Sequence, residues 1–260
     1  MSSDTDSSSI PPGPARTLLK RDGWAVVGIV AATAAAQLSV FLLPQFYGGS
    51  VRMLVPACLI FTGVWVALGS AIFAAGPRSA LSGLLRGGCV ADATAVLLVV
   101  LWLCTPAVTF YSAVKLYCIY ASVALCSIAI ARCASTVRFR YLGAVAAGVF
   151  LTGLQAGLFW LPGLLQLAPT DYKSTLAGFG LRANPLYGVF SAIAEESGFV
   201  WHYAEVMYRI TPLGEDIAVP PVHWYEPMVV HLAIAAVFAI WWFVRVRPER
   251  SAFSGEVVGE

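Results

Sequence analysis

The sequence predicts an all-α integral membrane protein with about six transmembrane helices and a helical external segment before the last one. Two observations indicate this class. The 260 residues are 59% hydrophobic and only 12% charged, whereas soluble domains are about 45–50% apolar and about 25% charged. The apolar residues also form runs of about 20, the length that lets a helix cross a hydrocarbon layer of roughly 30 Å. Because these runs do not alternate apolar and polar residues, we expect helices and not the strands of a membrane barrel.

The apolar runs divide the chain into a tail, a bundle, an external segment and a last span. Residues 1–23 are predicted to be a disordered, Ser- and Pro-rich tail with an interfacial segment. The bundle over residues 24–165 has five predicted spans, at 24–43, 53–75, 91–110, 112–131 and 141–165. The remaining parts are the external helical segment at 166–226, the last transmembrane helix at 227–246 and a cytosolic tail at 247–260.

The positive charges orient this map. Eleven of the sixteen Lys and Arg residues fall on the side that holds both termini, namely Arg16, Lys20, Arg21, Arg78, Arg86, Arg132, Arg138, Arg140, Arg245, Arg247 and Arg250. Short cytoplasmic loops carry the excess of Lys and Arg in membrane proteins. We therefore predict that both termini are cytosolic and that the chain is integral to the cytoplasmic (plasma or inner) membrane.

Polar and small residues inside the spans have structural interpretations. Gly153 and Gly157 form a Gly-x-x-x-Gly spacing that favours close helix contact, within the subunit or between two copies. Gln155 is predicted to hydrogen-bond another helix. Asp92 is expected at the cytoplasmic start of the third span, near the positive end of its helix dipole. Lys115 is expected to extend to the external interface, and an ion or proton relay through the two charges is the alternative.

The external segment contains a predicted turn and helix. Asn184 and Pro185 favour a turn, after which residues 186–194, including Tyr187, are predicted to form a short helix on or dipping into the outer leaflet. Glu195 and Glu196 follow it. A second helix is predicted at about 198–210.

Metal and haem sites are not predicted. A membrane b-type haem needs two His facing each other at similar depth, and of the three His residues only His231 falls within a predicted span. The six Cys residues include no Cys-x-x-Cys pair. We therefore expect this chain to bind no cofactor itself.

Two segments resemble a known family. Residues 123–146 form a small-residue helix, a polar Ser-x-x-Arg-x-Arg link and an Ala-rich helix. This segment resembles the connection between the fourth and fifth helices of ABC-transporter permeases of the type-2 exporter class. Residues 183–187, Ala-Asn-Pro-Leu-Tyr, are similar to the Asn-Pro-aromatic stretch that these permeases often carry before their last helix. The resemblance is spread over the chain and includes the six-span topology.

The resemblance implies a transporter subunit with two kinds of protein partner. It makes residues 77–88 a cytosolic coupling helix, with Ser79, Leu81, Leu84, Leu85 and Arg86 as its candidate residues. The chain has no Gly-x-x-x-x-Gly-Lys-Ser/Thr sequence for ATP phosphates, so ATP is expected on a separate ATP-binding subunit. A second permease subunit, the same or different, would complete the substrate path. The surroundings are membrane lipid, and no nucleic acid is expected.

Two other functions remain open from the residues. The chain could be a non-catalytic structural subunit of a larger membrane complex. It could also be a membrane enzyme that acts on a lipid-linked substrate at the external face. The candidates for general acid–base work would then be Glu195, Glu196, His202, Glu205 and His223.

Overall fold

The computed structural model describes residues 14–46, 51–77, 79–134, 139–197 and 223–253, and every regular element in these ranges is an α-helix. The all-α class is therefore confirmed for this part of the chain. The helices are α1 (Pro14–Phe46), α2 (Val51–Ala75), α3 (Ala80–Cys104), α4 (Phe110–Ala134), α5 (Arg140–Gln155), α6 (Gly157–Leu167), α7 (Thr170–Ala183), α8 (Pro185–Ser197) and α9 (Tyr225–Phe253).

Five of the described helices are long and apolar enough to cross a membrane. These stretches are Gly23–Pro44, Leu54–Ala75, Ala80–Cys104, Phe110–Ala134 and Tyr225–Val244. The predicted first, second, fourth and last spans coincide with such helices to within a few residues. The chain is thus a multi-pass, membrane-embedded helical protein, as its composition predicts.

The third predicted span is wrong in its position. The structure has one helix from Ala80 to Cys104 where the sequence predicted a span at 91–110. Ser79 caps its first turn, because its side-chain oxygen accepts a hydrogen bond from the Ser82 backbone N–H at 3.0 Å. The adjacent glycines at 87 and 88 lie inside the helix and do not end it. Ser79 to Arg86 therefore form the cap and first turns of α3, and not the separate coupling helix that the resemblance implied.

Glycines on α3 explain how this early segment packs. A Cβ atom added at Gly83 would lie 2.9 Å from the Ala74 carbonyl oxygen, and one at Gly87 would lie 2.9 Å from the Ser70 carbonyl oxygen. Gly83 and Gly87 have the Gly-x-x-x-Gly spacing, which lets two helix backbones approach closely. The first turns of α3 are consequently held against the last turns of α2.

The centre of the bundle is α4, which packs against α2, α3, α5, α8 and α9. Tyr120 on α4 is fully buried, and its hydroxyl donates a hydrogen bond to the Leu59 carbonyl of α2 at 2.8 Å. Leu97 and Leu101 of α3 and Phe41 of α1 are buried in the same core. Five helices thus surround α4, and α1 packs on the outside of α2 and α3.

Two contacts define opposite ends of the bundle. At one end, the Arg132 guanidinium of α4 donates to the Pro77 carbonyl, just after α2, at 2.9 Å. At the other end, the Lys115 ammonium of α4 lies 5.8 Å from the centroid of the Trp224 ring, just before α9. Because α4 finishes at the Arg132 end and α9 starts at the Lys115 end, the intervening chain must pass from one end to the other.

The fifth predicted span, at 141–165, is not a single helix. It breaks at Ala156, between α5 and α6.

The helix α8 is not a surface element, although the sequence predicts a helix on or dipping into the outer leaflet here. Its residues 186–193 are all buried, and Val189, Ala192 and Ile193 belong to the main core. Apolar residues in α8 point inward because α2, α4 and α9 surround it. The predicted second external helix at 198–210 lies outside the described residues.

We expect substitution of Gly87 by Leu to destabilise the protein and substitution of the neighbouring Gly88 by Leu to have little effect. A Cβ at Gly87 would lie 2.7 Å from the Ile128 side chain, whereas one at Gly88 has nothing within 4 Å. Overpacking costs about 1–3 kcal/mol, and each kcal/mol lowers Tm by about 2–4 °C in a chain of this size. Thermal unfolding of the two detergent-purified variants measures the difference. Equal Tm values would contradict the close packing of α3 against α4 and α2 at Gly87.

Candidate functional site

The chain runs from the Arg132 end of the bundle to the Lys115 end through two half-helices, α5 and α8. α5 lies in the Arg132 half, where Gly148 packs against Leu68 of α2 and Ala144 is buried with Ala131 of α4. α8 lies in the Lys115 half, where Gly188 packs against Ile119 of α4. Neither helix is long enough to cross a membrane alone.

The half-helices meet beside the middle of α2. The Gln155 side chain, at the end of α5, donates from Nε2 to the Gly63 carbonyl of α2 at 3.1 Å, so its predicted contact with another helix is confirmed. Asn184, just before α8, donates from Nδ2 to the Gln155 carbonyl at 3.0 Å. Gln155 is 1% exposed and Asn184 is 3% exposed. A buried polar junction therefore occupies the break.

The ends of both half-helices are hydrogen-bonded at this junction. Free helix ends leave carbonyl and N–H groups without intrahelical partners. At the end of α5, the Gly153 carbonyl accepts from the Trp160 indole N–H at 2.7 Å, and the Gln155 carbonyl accepts from Asn184. At the start of α8, Asn184 Oδ1 accepts from the Leu186 N–H at 2.9 Å. Asn184 thus joins the C-terminus of one helix to the N-terminus of the other.

Two buried acceptors at the junction have no hydrogen-bond partner among the described residues. They are Gln155 Oε1 and, one turn earlier on α5, Thr152 Oγ1. Unpaired polar atoms are rare in protein interiors and often mark a functional group. The junction therefore contains two buried polar atoms whose hydrogen-bonding capacity no described residue meets.

Gly153 and Gly157 do not share one helix face as predicted, because they lie on different helices, α5 and α6. A Cβ at Gly153 would have nothing within 4 Å, and one at Gly157 would lie 3.4 Å from Asn184 Nδ2. Within the described chain the close-packed pair is instead Gly83 and Gly87. The Gly-x-x-x-Gly spacing of this pair is visible in the sequence, but the pair falls in residues 77–88, which the resemblance places in the cytosol.

The external-segment candidates lie in different surroundings. Pro185 and Tyr187 are buried at the start of α8. Glu195, at the end of α8, accepts from the Lys115 ammonium at 3.0 Å and lies 3.9 Å from His223 Nδ1. Because Glu195 forms an ion pair between α4 and α8, it has a packing role at the Lys115 end.

Three other candidates for general acid–base work at the external face fall outside the described part of the chain. The Glu196 side chain, His202 and Glu205 lie outside the described residues. Within the described ranges, no group of three or more His, Cys, Asp or Glu side chains could hold a metal ion.

Asp92 is not at the start of a helix. It is in the middle of α3, because α3 begins eleven residues earlier than the sequence predicted. Its carboxylate accepts a hydrogen bond from the Tyr117 hydroxyl at 2.8 Å and is exposed on the outer surface of the bundle. A charge at this depth costs about 2.5–3.5 kcal/mol on membrane-insertion scales. The helix-dipole explanation for Asp92 is therefore wrong.

Comparison with known proteins adds no relative: no family model, no curated protein and no solved structure matches this chain.

We expect substitution of Gln155 by Ala to destabilise the protein by about 1–2 kcal/mol, because it removes a buried hydrogen bond between α5 and α2. The matched control is Gln166 to Ala, since Gln166 is exposed on α6. Thermal unfolding in detergent measures both changes. A Gln155 variant as stable as the Gln166 variant would show that the junction does not hold α5 in place.

Proposed function

We propose that this chain is the membrane-spanning permease subunit of an ATP-driven transporter. A separate ATP-binding subunit supplies the energy, and a second permease subunit completes the substrate path. The observation that carries the proposal is the break between α5 and α8 at the middle of the bundle, with Gln155 and Asn184 buried in it. In transporters, discontinuous helices near the bilayer midplane form substrate sites.

In this proposal, α5 and α8 together make the sixth crossing. Together they contact α4 along most of its length. Glu195 of α8 pairs with Lys115 near the start of α4, and Gly143 of α5 lies against Ala134 at its end. At 1.5 Å per residue this is a path of about 30 Å, comparable to the hydrocarbon thickness. Six crossings put both termini in the cytosol, in agreement with the Lys and Arg distribution.

The cytosolic end then offers a contact surface for the ATP-binding subunit. Leu81 and Leu84 are exposed at the start of α3, with Leu81 68% exposed. Gly83 and Gly87 hold the same turns against α2, so a push on the start of α3 is transmitted to α2. Coupling would therefore act through the first turns of a transmembrane helix.

A non-catalytic subunit of a larger membrane complex is the second candidate function. The outward-facing Asp92 favours it, because acidic groups inside a membrane usually face protein or a water-filled cavity and not lipid. The two functions differ in whether the protein stimulates ATP hydrolysis by a partner. The membrane-enzyme alternative has less support, because Glu195 is engaged in an ion pair.

The proposed orientation is tested by labelling single cysteines in intact cells with a membrane-impermeant maleimide, in a background without the native cysteines. His223 is exposed at the Lys115 end, and Phe139 is exposed near the Arg132 end. We expect a cysteine at position 223 to react in intact cells, and one at position 139 to react only after permeabilisation. The reverse pattern would refute the orientation.

The transporter function is tested in vesicles that contain the purified protein and the ATPase that co-purifies with it. We expect ATP hydrolysis to depend on this chain, and Leu81 to Glu to reduce that stimulation about tenfold, because the charge disrupts an apolar contact of about 1.4 kcal/mol or more. Leu167 is 84% exposed on α6, so Leu167 to Glu is the control. Hydrolysis that is unchanged by the wild-type chain would favour the non-catalytic subunit instead.

A further inference from the structure

Asp92 lies at the middle of α3, a helix that is long and apolar enough to cross a membrane. Asp92 is the thirteenth of the 25 residues of α3, so about 18 Å of helix extends on either side of it at 1.5 Å per residue. Along the same helix face, Leu85, Val96 and Val99 are exposed apolar residues. Asp92 is therefore bordered above and below by side chains that suit hydrocarbon.

The carboxylate of Asp92 is only partly satisfied by its own chain. Among the described residues its polar contact is the Tyr117 hydroxyl, which donates to Oδ1 at 2.8 Å. An ionised carboxylate has about four acceptor sites on its two oxygens. The neighbouring cation on α4, Lys115, pairs with Glu195 and lies over Trp224. Among the described residues, no side chain donates a hydrogen bond to Asp92 Oδ2, which leaves this oxygen open to a donor from another molecule.

We propose that the surface formed by Asp92, Tyr117, Leu85, Val96 and Val99, the Asp92 face, docks a transmembrane helix of a different protein that carries a Lys or Arg side chain at mid-depth. Charged groups inside membranes pair with one another, and a basic side chain supplies both the opposite charge and the missing hydrogen bonds. The surrounding apolar side chains pack against the rest of that helix.

Charge and depth favour a basic helix of another protein over two other occupants of the Asp92 face, a second copy of this chain and a lipid headgroup. A two-fold pair of identical chains would use the same patch on both subunits and would bring two Asp92 carboxylates together. Lipid headgroups lie at the membrane surface, roughly 15 Å from the midplane of a 30 Å hydrocarbon layer. The proposal depends on membrane insertion alone and not on the transport function.

The test uses a defined probe in vesicles of phosphatidylcholine and phosphatidylglycerol. The purified full-length protein carries a donor fluorophore, and the probe is a synthetic Leu- and Ala-rich helix of about 20 residues with one central Lys and an acceptor fluorophore. The comparison probe has Leu at the central position. We expect energy transfer to show about tenfold tighter association of the Lys helix, the factor that one intramembrane polar contact supplies.

Variants locate this binding on the Asp92 face. Asp92→Asn should abolish the preference for the Lys helix, whereas Asp171→Asn, at an exposed Asp on α7, should leave it unchanged. Tyr117→Phe removes the internal donor but keeps the carboxylate, so it should retain the preference. Val96→Trp changes the shape of the face without changing its charge and should weaken binding of both probes. The melting temperature of each variant checks that it is folded.

A photo-cross-linking amino acid at Val96, in native membranes, identifies the natural occupant. We expect an adduct with a transmembrane segment of another protein that has Lys or Arg near its centre, and loss of the adduct in Asp92→Asn. Equal association of the Lys and Leu probes would overturn the proposal. So would adducts formed only with lipid or with a second copy of this chain, or adducts that persist in Asp92→Asn.

Discussion

The hydrogen bonds around the break between α5 and α8 are the interaction on which the architecture depends. A chain inside hydrocarbon cannot leave backbone groups unpaired, because no water is present to satisfy them. Gln155 joins the end of α5 to α2, and Asn184 joins the end of α5 to the start of α8. These two amide side chains let two short helices replace one long one.

The same junction links structure to the proposed transport. An unbroken helix in a membrane has no free backbone groups to offer a solute, whereas a broken one has helix ends and the side chains that cap them. Gln155 retains one buried acceptor without a partner in the described chain, beside the close contact with Gly63.

The sequence predicts the contacts of a candidate residue correctly only where it also predicts the start and end of the helix that carries it. Gln155 was correctly predicted to contact another helix, since a lone amide in an apolar run needs a partner. Asp92 was misplaced, because the glycines at 87 and 88 indicated a helix start that Ser79 in fact provides. Gly153 and Gly157 were assigned to one face because hydropathy does not reveal a break between two apolar segments. Hydropathy reports which residues avoid water, and it contains no information on where a continuous apolar run changes direction.

The sequence by itself determined that this is a helical, multi-pass membrane protein and where four of its long helices lie, because the length and composition of an apolar run are local properties. Only the tertiary structure decided that residues 140–197 form two half-helices with an insertion, and that α8 is buried within the bundle. Those features come from contacts between residues far apart in the chain, such as Gln155 with Gly63 and Lys115 with Glu195, which no local pattern records.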